Sequence, residues 1–441
     1  MIFFNHDKPK YIINSYSIFG CVEPFIFIFY LMLSCGLLYY ANAQKGSGLS
    51  VFWIVFLFVM KVAAGCISLY VHCHEYVTND VIFYHQQSLI SLKVLHTHPM
   101  TFVNDWLFNW GDFTGHYNFL SKDNMSYWTD LGVQIHLKFM IFSNLLSQGS
   151  LYTNIIFYNV IYFIGLLQLY KVFYRLQPQK KWLFVFSIFF IPSVLFWCSG
   201  IHKDGWVLAF IGLSCFYAMR YLDTKKWVYI VAIGLSLFLL FASRYFVFLC
   251  FFPPFLCWLC CSTLPKRSML FAIFYIALLF LFFTLGKFTP IEPMEIIVAK
   301  QHAFFSMWGY SDMQTPILEN TFSSFVINLP SACDHILLRP YVSATNPLKY
   351  QMAAVDTLFV IGLIMLFVLF IKRKNMQELF YVMLLFFAFS MYLFIGYTIP
   401  NCGALVRYKS EFTALLIPAL VALSEVPFLK RFYVAPSSDQ S

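Results

Sequence analysis

Apolar runs of about 17–22 residues recur along this chain, each closed by a short polar cluster, and that is the length an α-helix needs to cross a bilayer. The runs predict spans at 25–41, 50–71, 151–170, 182–199, 206–221, 227–243, 246–262, 268–286, 354–371, 379–398 and 406–424. The pattern is that of an all-α protein, a polytopic transmembrane helix bundle of about 11 spans (roughly 10–13), forming one integral membrane domain over 1–441. Segment 131–148 is also apolar, but Gln134, His136, Lys138 and Asn144 interrupt it, which predicts an amphipathic helix lying at the interface. Two polar stretches break the rhythm. Residues 72–150 and 287–353 are predicted as large external loops carrying short interfacial helices, and 435–441 as a disordered tail.

Composition mainly excludes alternatives. With 54 Phe, 28 Tyr and 60% hydrophobic residues against 11% charged, a soluble globule would expose very large apolar patches. Residues 1–20 lack the clean apolar core of a cleavable signal peptide, so the first span is expected to direct insertion. The 12 cysteines fall mostly within apolar runs, as at Cys257, Cys260 and Cys261, where they act as small hydrophobes. No spacing fits a disulfide framework or a zinc module.

Charge sets the expected orientation. The formal charge is +9, but the basic residues sit in short loops between spans rather than in a stripe that would bind nucleic acid. The basic residues of the loops around Lys171/Arg175/Lys180/Lys181, Arg220/Lys225/Lys226, Lys266/Arg267, Lys372/Arg373/Lys374 and Lys430/Arg431 far outnumber the acids there, Asp223 and Glu378 among them. Such loops face the cytoplasm. Parity then places the two polar stretches and the N-terminus outside.

Two places carry candidate chemistry. Segment 196–206 sets His202, Lys203 and Asp204 between two spans, where charge is costly and cations suit an anionic headgroup. Asn79-Asp80 follows the second span. Thr78 or Asn79 can cap a new helix there, placing Asp80, Tyr84, Gln87 and Ser91 on one face. A carboxylate so placed either accepts a proton from an attacking hydroxyl or simply complements the helix dipole, an effect worth roughly 0.3–1 kcal/mol.

An acid at the outer end of an early span, followed by Asp-x-x-x-Tyr-His, resembles the pattern of GT-C glycosyltransferases. Residues 192–204 are similar to a Pro-Ser-x-x-Phe-Trp-Ser-Ser-Gly-x-x-Lys-Asp stretch of bacterial GT-C-like and polysaccharide-polymerase-like membrane proteins, with Cys198 in place of a Ser. Residues 403–409 resemble their Gly-x-x-x-Arg-Tyr/Gln-Arg element, with Lys409 in place of Arg. The similarity spans roughly 70–425, with a further departure at the N-terminal side: GT-C enzymes usually place the Asp after the first span. It implies a GT-C-like fold, a polyprenyl-phosphate or diphosphate sugar donor, and a glycan, lipid or protein acceptor. It also implies a multi-pass place in the bacterial inner (plasma) membrane, with the active site facing the periplasm or exterior. Asp80 matches the general base. Lys203, Arg244 and Arg407, each predicted at the outer end of a different span, would hold the phosphate beside Asn79, Tyr84, His202 and Tyr408. Asp204 would orient Lys203 or Arg407. No cofactor and no metal ligand set is implied.

Three functions follow: a glycosyltransferase of surface-polysaccharide or glycoconjugate assembly, a polymerase joining lipid-linked repeat units, or a flippase without catalysis. The polymerase would use Arg407 with an Arg or His from 287–353. A flippase favours internal repeats and charge near the midplane. Here no repeat is evident and Lys61 is the only cation deep in an early span. His72-x-His74-Glu75 and His96-x-His98 read as interfacial polar groups more readily than as metal sites. Trp106, Trp110, Tyr117, Tyr127 and Trp128 fit sugar stacking or an aromatic belt. His302 and Trp308 are candidates for an acceptor site.

Overall fold

A computed structural model describes residues 23–75, 80–108, 127–262, 264, 267–289, 292–306, 313–342, 348–372, 374–375 and 378–434. Asn79, the predicted cap Thr78, residues 1–20, Trp110, Tyr117, Trp308 and the 435–441 tail lie outside them, as do the side chains of Tyr127 and Trp128.

Helices make up the described fold, with no β-strand among the described residues. In chain order they are α1 (Glu23–Tyr40), α2 (Val51–Glu75), α3 (Asp80–Thr97), α4 (Pro99–Phe108), α5 (Tyr127–Ser147), α6 (Leu151–Leu176), α7 (Lys181–Phe189), α8 (Pro192–Trp197) and α9 (Lys203–Thr224). They continue as α10 (Trp227–Ser243), α11 (Tyr245–Cys261), α12 (Arg267–Thr284), α13 (Pro293–Phe305), α14 (Phe322–Leu338), α15 (Leu348–Leu369), α16 (Leu379–Thr398) and α17 (Cys402–Leu423). Among the described residues, 7 helices are long and apolar enough to cross a membrane: α1, α2, α6, α9, α12, α15 and α16. Ile273, Ile276 and Phe280 stand exposed on α12, as do Phe25, Phe29 and Met32 on α1. In water these faces would be costly, and against lipid tails they are not.

The remaining predicted spans differ from simple crossings. The 182–199 run is broken in two, α7 of 9 residues and α8 of 6. Pro192 is the cause: it disfavours helix in the residue before it and opens a new helix at its own position. Helices α10 and α11 have 17 residues each, about 26 Å at 1.5 Å per residue, slightly under the ~30 Å hydrocarbon thickness. Helix α17 carries Arg407, Lys409 and Glu411 in its first half, yet nearly its whole length is buried, so those charges face protein.

Helix α5 forms where the 131–148 pattern predicts one, but its polar residues turn inward rather than to an interface. Gln134, His136, Lys138 and Asn144 are all buried, against α3, α6 and α10. Asn144 Nδ2 donates to Ser88 Oγ at 2.5 Å, and Asn154 Nδ2 donates to Asn144 Oδ1 at 2.6 Å. Hydrogen bonding compensates the burial at Asn144.

Two devices position the site. At the α6–α9 crossing, an added Cβ on Gly165 would come within 2.3 Å of Ala209 Cα, and one on Gly212 within 2.2 Å of Gly165 O. Only small residues permit so close an approach, and it fixes α9 against α6. At the opposite end of the bundle, Lys180 Nζ donates to the carbonyls of Val421, Ala422 and Ser424 at 2.9, 2.9 and 2.7 Å, capping α17. Arg175 pairs with Asp223 at that same end, where the basic loops gather. The first turn of α9 and the second turn of α17 meet at the other end.

Candidate functional site

The site grows from the break after α8. Residues 198–202 are not helical, so their backbone carbonyls need outside donors. Lys61 Nζ donates to Cys198 O at 2.5 Å and to Ser199 Oγ at 2.9 Å. Asn159 Nδ2 donates to Ser199 O at 2.8 Å, and Tyr162 OH to His202 O at 2.7 Å. Gly65 leaves room for Ser199 O, which an added Cβ would approach to 2.5 Å. The linker is thus clamped by α2 and α6 before α9 starts. His202 is the extended N-cap residue, and its ring lies 4.4 Å from that of His72.

Asp204, fully buried in the first turn of α9, is the hub. Its Oδ1 accepts from Arg244 Nη2 at 2.6 Å and its Oδ2 from Arg407 Nε at 2.7 Å. Arg244 sits in the extended joint between α10 and α11, and its other terminal nitrogen donates to Glu411 Oε1. Arg407 and Glu411, one helical turn apart on α17, therefore reach the same network. Arg407 Nη1 also stands 3.8 Å from Asp80 Oδ2, whose side chain is 72% exposed. A chain of charge runs from Glu411 through Arg244, Asp204 and Arg407 to Asp80 at the mouth. The inner pairs are paired and hydrogen-bonded, the condition for burying charge.

Arg244, Arg407 and Asp80 line a cavity of about 160 Å³, whereas Asp204 and Glu411 are not on its walls. Asp80, Tyr84, His202, Lys203, Arg244, Arg407 and Tyr408, all singled out in the sequence, share its walls. Two expected roles change. Asp204 orients Arg407 but pairs with Arg244 rather than Lys203, whose Nζ instead lies 5.9 Å from the Tyr84 ring centroid. Arg244 has both terminal nitrogens on buried carboxylates and stacks 4.3 Å from the Tyr408 ring centroid, so it holds the framework rather than offering a free fork to phosphate. Gln87 and Ser91 lie on α3 but not on the cavity; Ser91 Oγ donates to Gln87 O at 3.1 Å.

Sequence reasoning missed three participants. Glu411 had a signal, a carboxylate one turn after Arg407 in an apolar run. Lys300 on α13 had none: it reaches the cavity from the second polar stretch by tertiary packing. His136 lines the cavity with both ring nitrogens buried and, among the described residues, without hydrogen-bond partners. Burial, then Lys203 and Arg407, push its imidazole down to about 3. Burial, with Arg407 next, holds His202 well below the usual range, so both rings are neutral at pH 7.

The other constellations resolve simply. His72 Nδ1 lies 2.7 Å from Ser68 O and His74 Nδ1 2.8 Å from Tyr70 O; residues two apart on a helix diverge, and these rings do not converge. No group of three or more His, Cys, Asp or Glu is arranged to hold a metal among the described residues. Lys409, two residues after Arg407, faces away from the cavity and donates to Thr357 Oγ1 at 3.0 Å. His302 is exposed and off the cavity, and Arg339 pairs with Asp334 at 3.2 Å. Trp106 is exposed on α4, with the Lys138 ammonium 5.8 Å from its ring centroid. Compared with protein-family models, curated proteins and solved structures, the chain gives no match.

Proposed function

We propose that the chain is a GT-C-type membrane glycosyltransferase, moving a sugar from a polyprenyl-phosphate or diphosphate donor to an acceptor hydroxyl. The observation that supports it is Arg407, held by buried Asp204 and leaning on exposed Asp80 across one cationic cavity. A general base needs access to its substrate, and a phosphate-holding cation needs fixed geometry. Asp80 at the mouth and Arg407 behind it divide those tasks.

In this reading the acceptor oxygen attacks the anomeric carbon as its proton passes to the Asp80 carboxylate. The bond from that carbon to the phosphate oxygen breaks in the same displacement. The leaving phosphate keeps the electron pair, and Lys203 and the outer edge of Arg407 stabilise its charge. Aromatic Tyr84 and Tyr408 flank these cations and offer faces for a sugar ring.

The broken pair α7–α8, together with α10, α11 and α17, would complete the crossings, giving about 11 spans. The basic end faces the cytoplasm under the positive-inside rule, and the cavity faces the exterior, in bacteria the periplasm. A polymerase that joins lipid-linked repeat units is the second reading, favoured by Lys300 reaching the cavity from the second polar stretch. A flippase fits less well, because the ionisable groups gather at one end and Lys61 is tied to the 198–202 linker.

The test is transfer by the full-length protein in proteoliposomes, with a radiolabelled polyprenyl-linked sugar and an acceptor glycan. Label should enter a new glycosidic product. Movement of the labelled lipid across the bilayer with no new bond would overturn the transferase in favour of a flippase.

A further inference from the structure

The cations around the cavity are of two kinds. Arg244 is committed at both terminal nitrogens, and Arg407 at its Nε, to buried carboxylates. Among the described residues, the Nζ of neither Lys203 nor Lys300 donates to a protein oxygen. Each rests against aromatic rings instead, Lys203 5.9 Å from the Tyr84 centroid, Lys300 5.1 Å from Phe304 and 5.6 Å from Phe246. Both are only partly exposed. A cation–π contact recovers less free energy than an ammonium group forfeits on leaving water. Ring contacts alone do not compensate two such groups; an anion between them does.

Charge decides what kind of anion. Arg244 and Arg407 are matched by the buried carboxyl groups of Asp204 and Glu411, so the quartet adds no net negative charge to the cavity. The Asp80 side chain is 72% exposed at the mouth, where water weakens its hold on Lys203 and Arg407. Lys203 and Lys300 then present two positive charges to the cavity, from α9 and α13 respectively. A phosphodiester has one charge and two free oxygens, enough for Lys203 and the outer edge of Arg407. It leaves Lys300 unmatched. A diphosphate diester adds the second charge and the second pair of oxygens.

We propose that Lys203 and Lys300 each bind one phosphoryl group of a diphosphate, so that the donor is a polyprenyl diphosphate sugar rather than a phosphate-linked one. The sugar and its transfer rest on the transferase reading; the anion site does not. Lys300 is then a substrate-binding residue, and α13 carries the part of the site that distinguishes the two donor classes.

The test uses thermal unfolding of the full-length protein in lipid nanodiscs, titrated with inorganic pyrophosphate or orthophosphate at matched ionic strength. Pyrophosphate should stabilise at a concentration lower than orthophosphate by about tenfold or more. Lys203→Gln and Lys300→Gln should each bring that ratio close to one, while Lys300→Arg, which keeps the charge, retains it. Equal action of the two anions on the wild type, an unchanged ratio in both Gln variants, or loss of the ratio in Lys300→Arg overturns the proposal. A short-chain polyprenyl diphosphate should act at lower concentration than a nucleoside diphosphate, and the reverse order overturns the lipid-linked assignment. Pyrophosphate preference without sugar transfer sets aside the transferase and leaves the anion site standing. Transfer from a phosphate-linked donor without pyrophosphate preference does the opposite.

Discussion

Arg407 Nε donates to Asp204 Oδ2 at 2.7 Å, joining the first turn of α9 to the second turn of α17 through residues 203 positions apart in sequence. The bond fixes the guanidinium behind Asp80, and it ties the stability of the bundle to the geometry of the cavity. Asp204 serves two arginines at once, so its removal strands both.

Asp204→Asn is therefore expected to destabilise strongly. Breaking one member of a buried ion network costs about 3–5 kcal/mol, whereas an exposed pair such as Asp80–Arg407 contributes ~0–1 kcal/mol. Melting in detergent should rank wild type and Asp80→Asn together, with Asp204→Asn well below. Equal melting of the two variants would show that the network does not carry the fold here.

Lys61→Met keeps the length and apolar bulk of the side chain but removes its donor. Cys198 O loses its partner, at a cost of about 1–3 kcal/mol for a buried unsatisfied group. The protein should melt lower, and backbone hydrogen exchange in 198–202 should rise. Unchanged melting and unchanged exchange would mean that Asn159 and Tyr162 hold the linker without Lys61.

Acid should weaken the fold through the histidines of α3 and α5. Burial pushes His85 down to about 4, against a hydrogen bond from Asn144 that raises it, and His136 down to about 3. Both folded-state values lie below the ordinary ~6.5 of the unfolded chain, so the stability from these neutral rings is fully present above pH 6.5. It is lost as pH falls from 6.5 toward 4 and 3, because only the unfolded chain takes up the proton. Between pH 6.5 and 5 the loss is on the order of 2 kcal/mol per ring. The melting temperature should drop over that interval, and His136→Gln should flatten the dependence. A flat wild-type profile contradicts the burial of these rings.

The long crossings were legible because apolar length alone specifies them, as at α2 and α16. The 182–199 run misled because Phe, Ile and Leu continue through Pro192, and hydropathy does not register a missing N–H. Asp80, Lys203 and Arg407 could be found as charges at span ends. Their convergence could not, since it depends on the Gly165–Gly212 crossing and on how α17 docks. Lys300 has no periodic or motif signal, His136 shows only as one polar position of the 131–148 pattern, and packing alone brings each to the cavity. Helix α5 shows the limit of amphipathic pattern, because a polar face directed at Ser88 and Asn154 reads in sequence like one directed at headgroups.

The central claim is that Asp80 takes the acceptor proton while Arg407, set by Asp204, holds the leaving phosphate. The most direct measurement is the initial rate of sugar transfer by purified wild-type and Asp80→Asn protein, at saturating polyprenyl-linked donor and matched melting temperature. General-base catalysis contributes about 10²–10⁴-fold, so kcat should fall by at least about 100-fold while donor binding persists. An Asp80→Asn protein that transfers sugar within a few-fold of the wild-type rate would contradict the account.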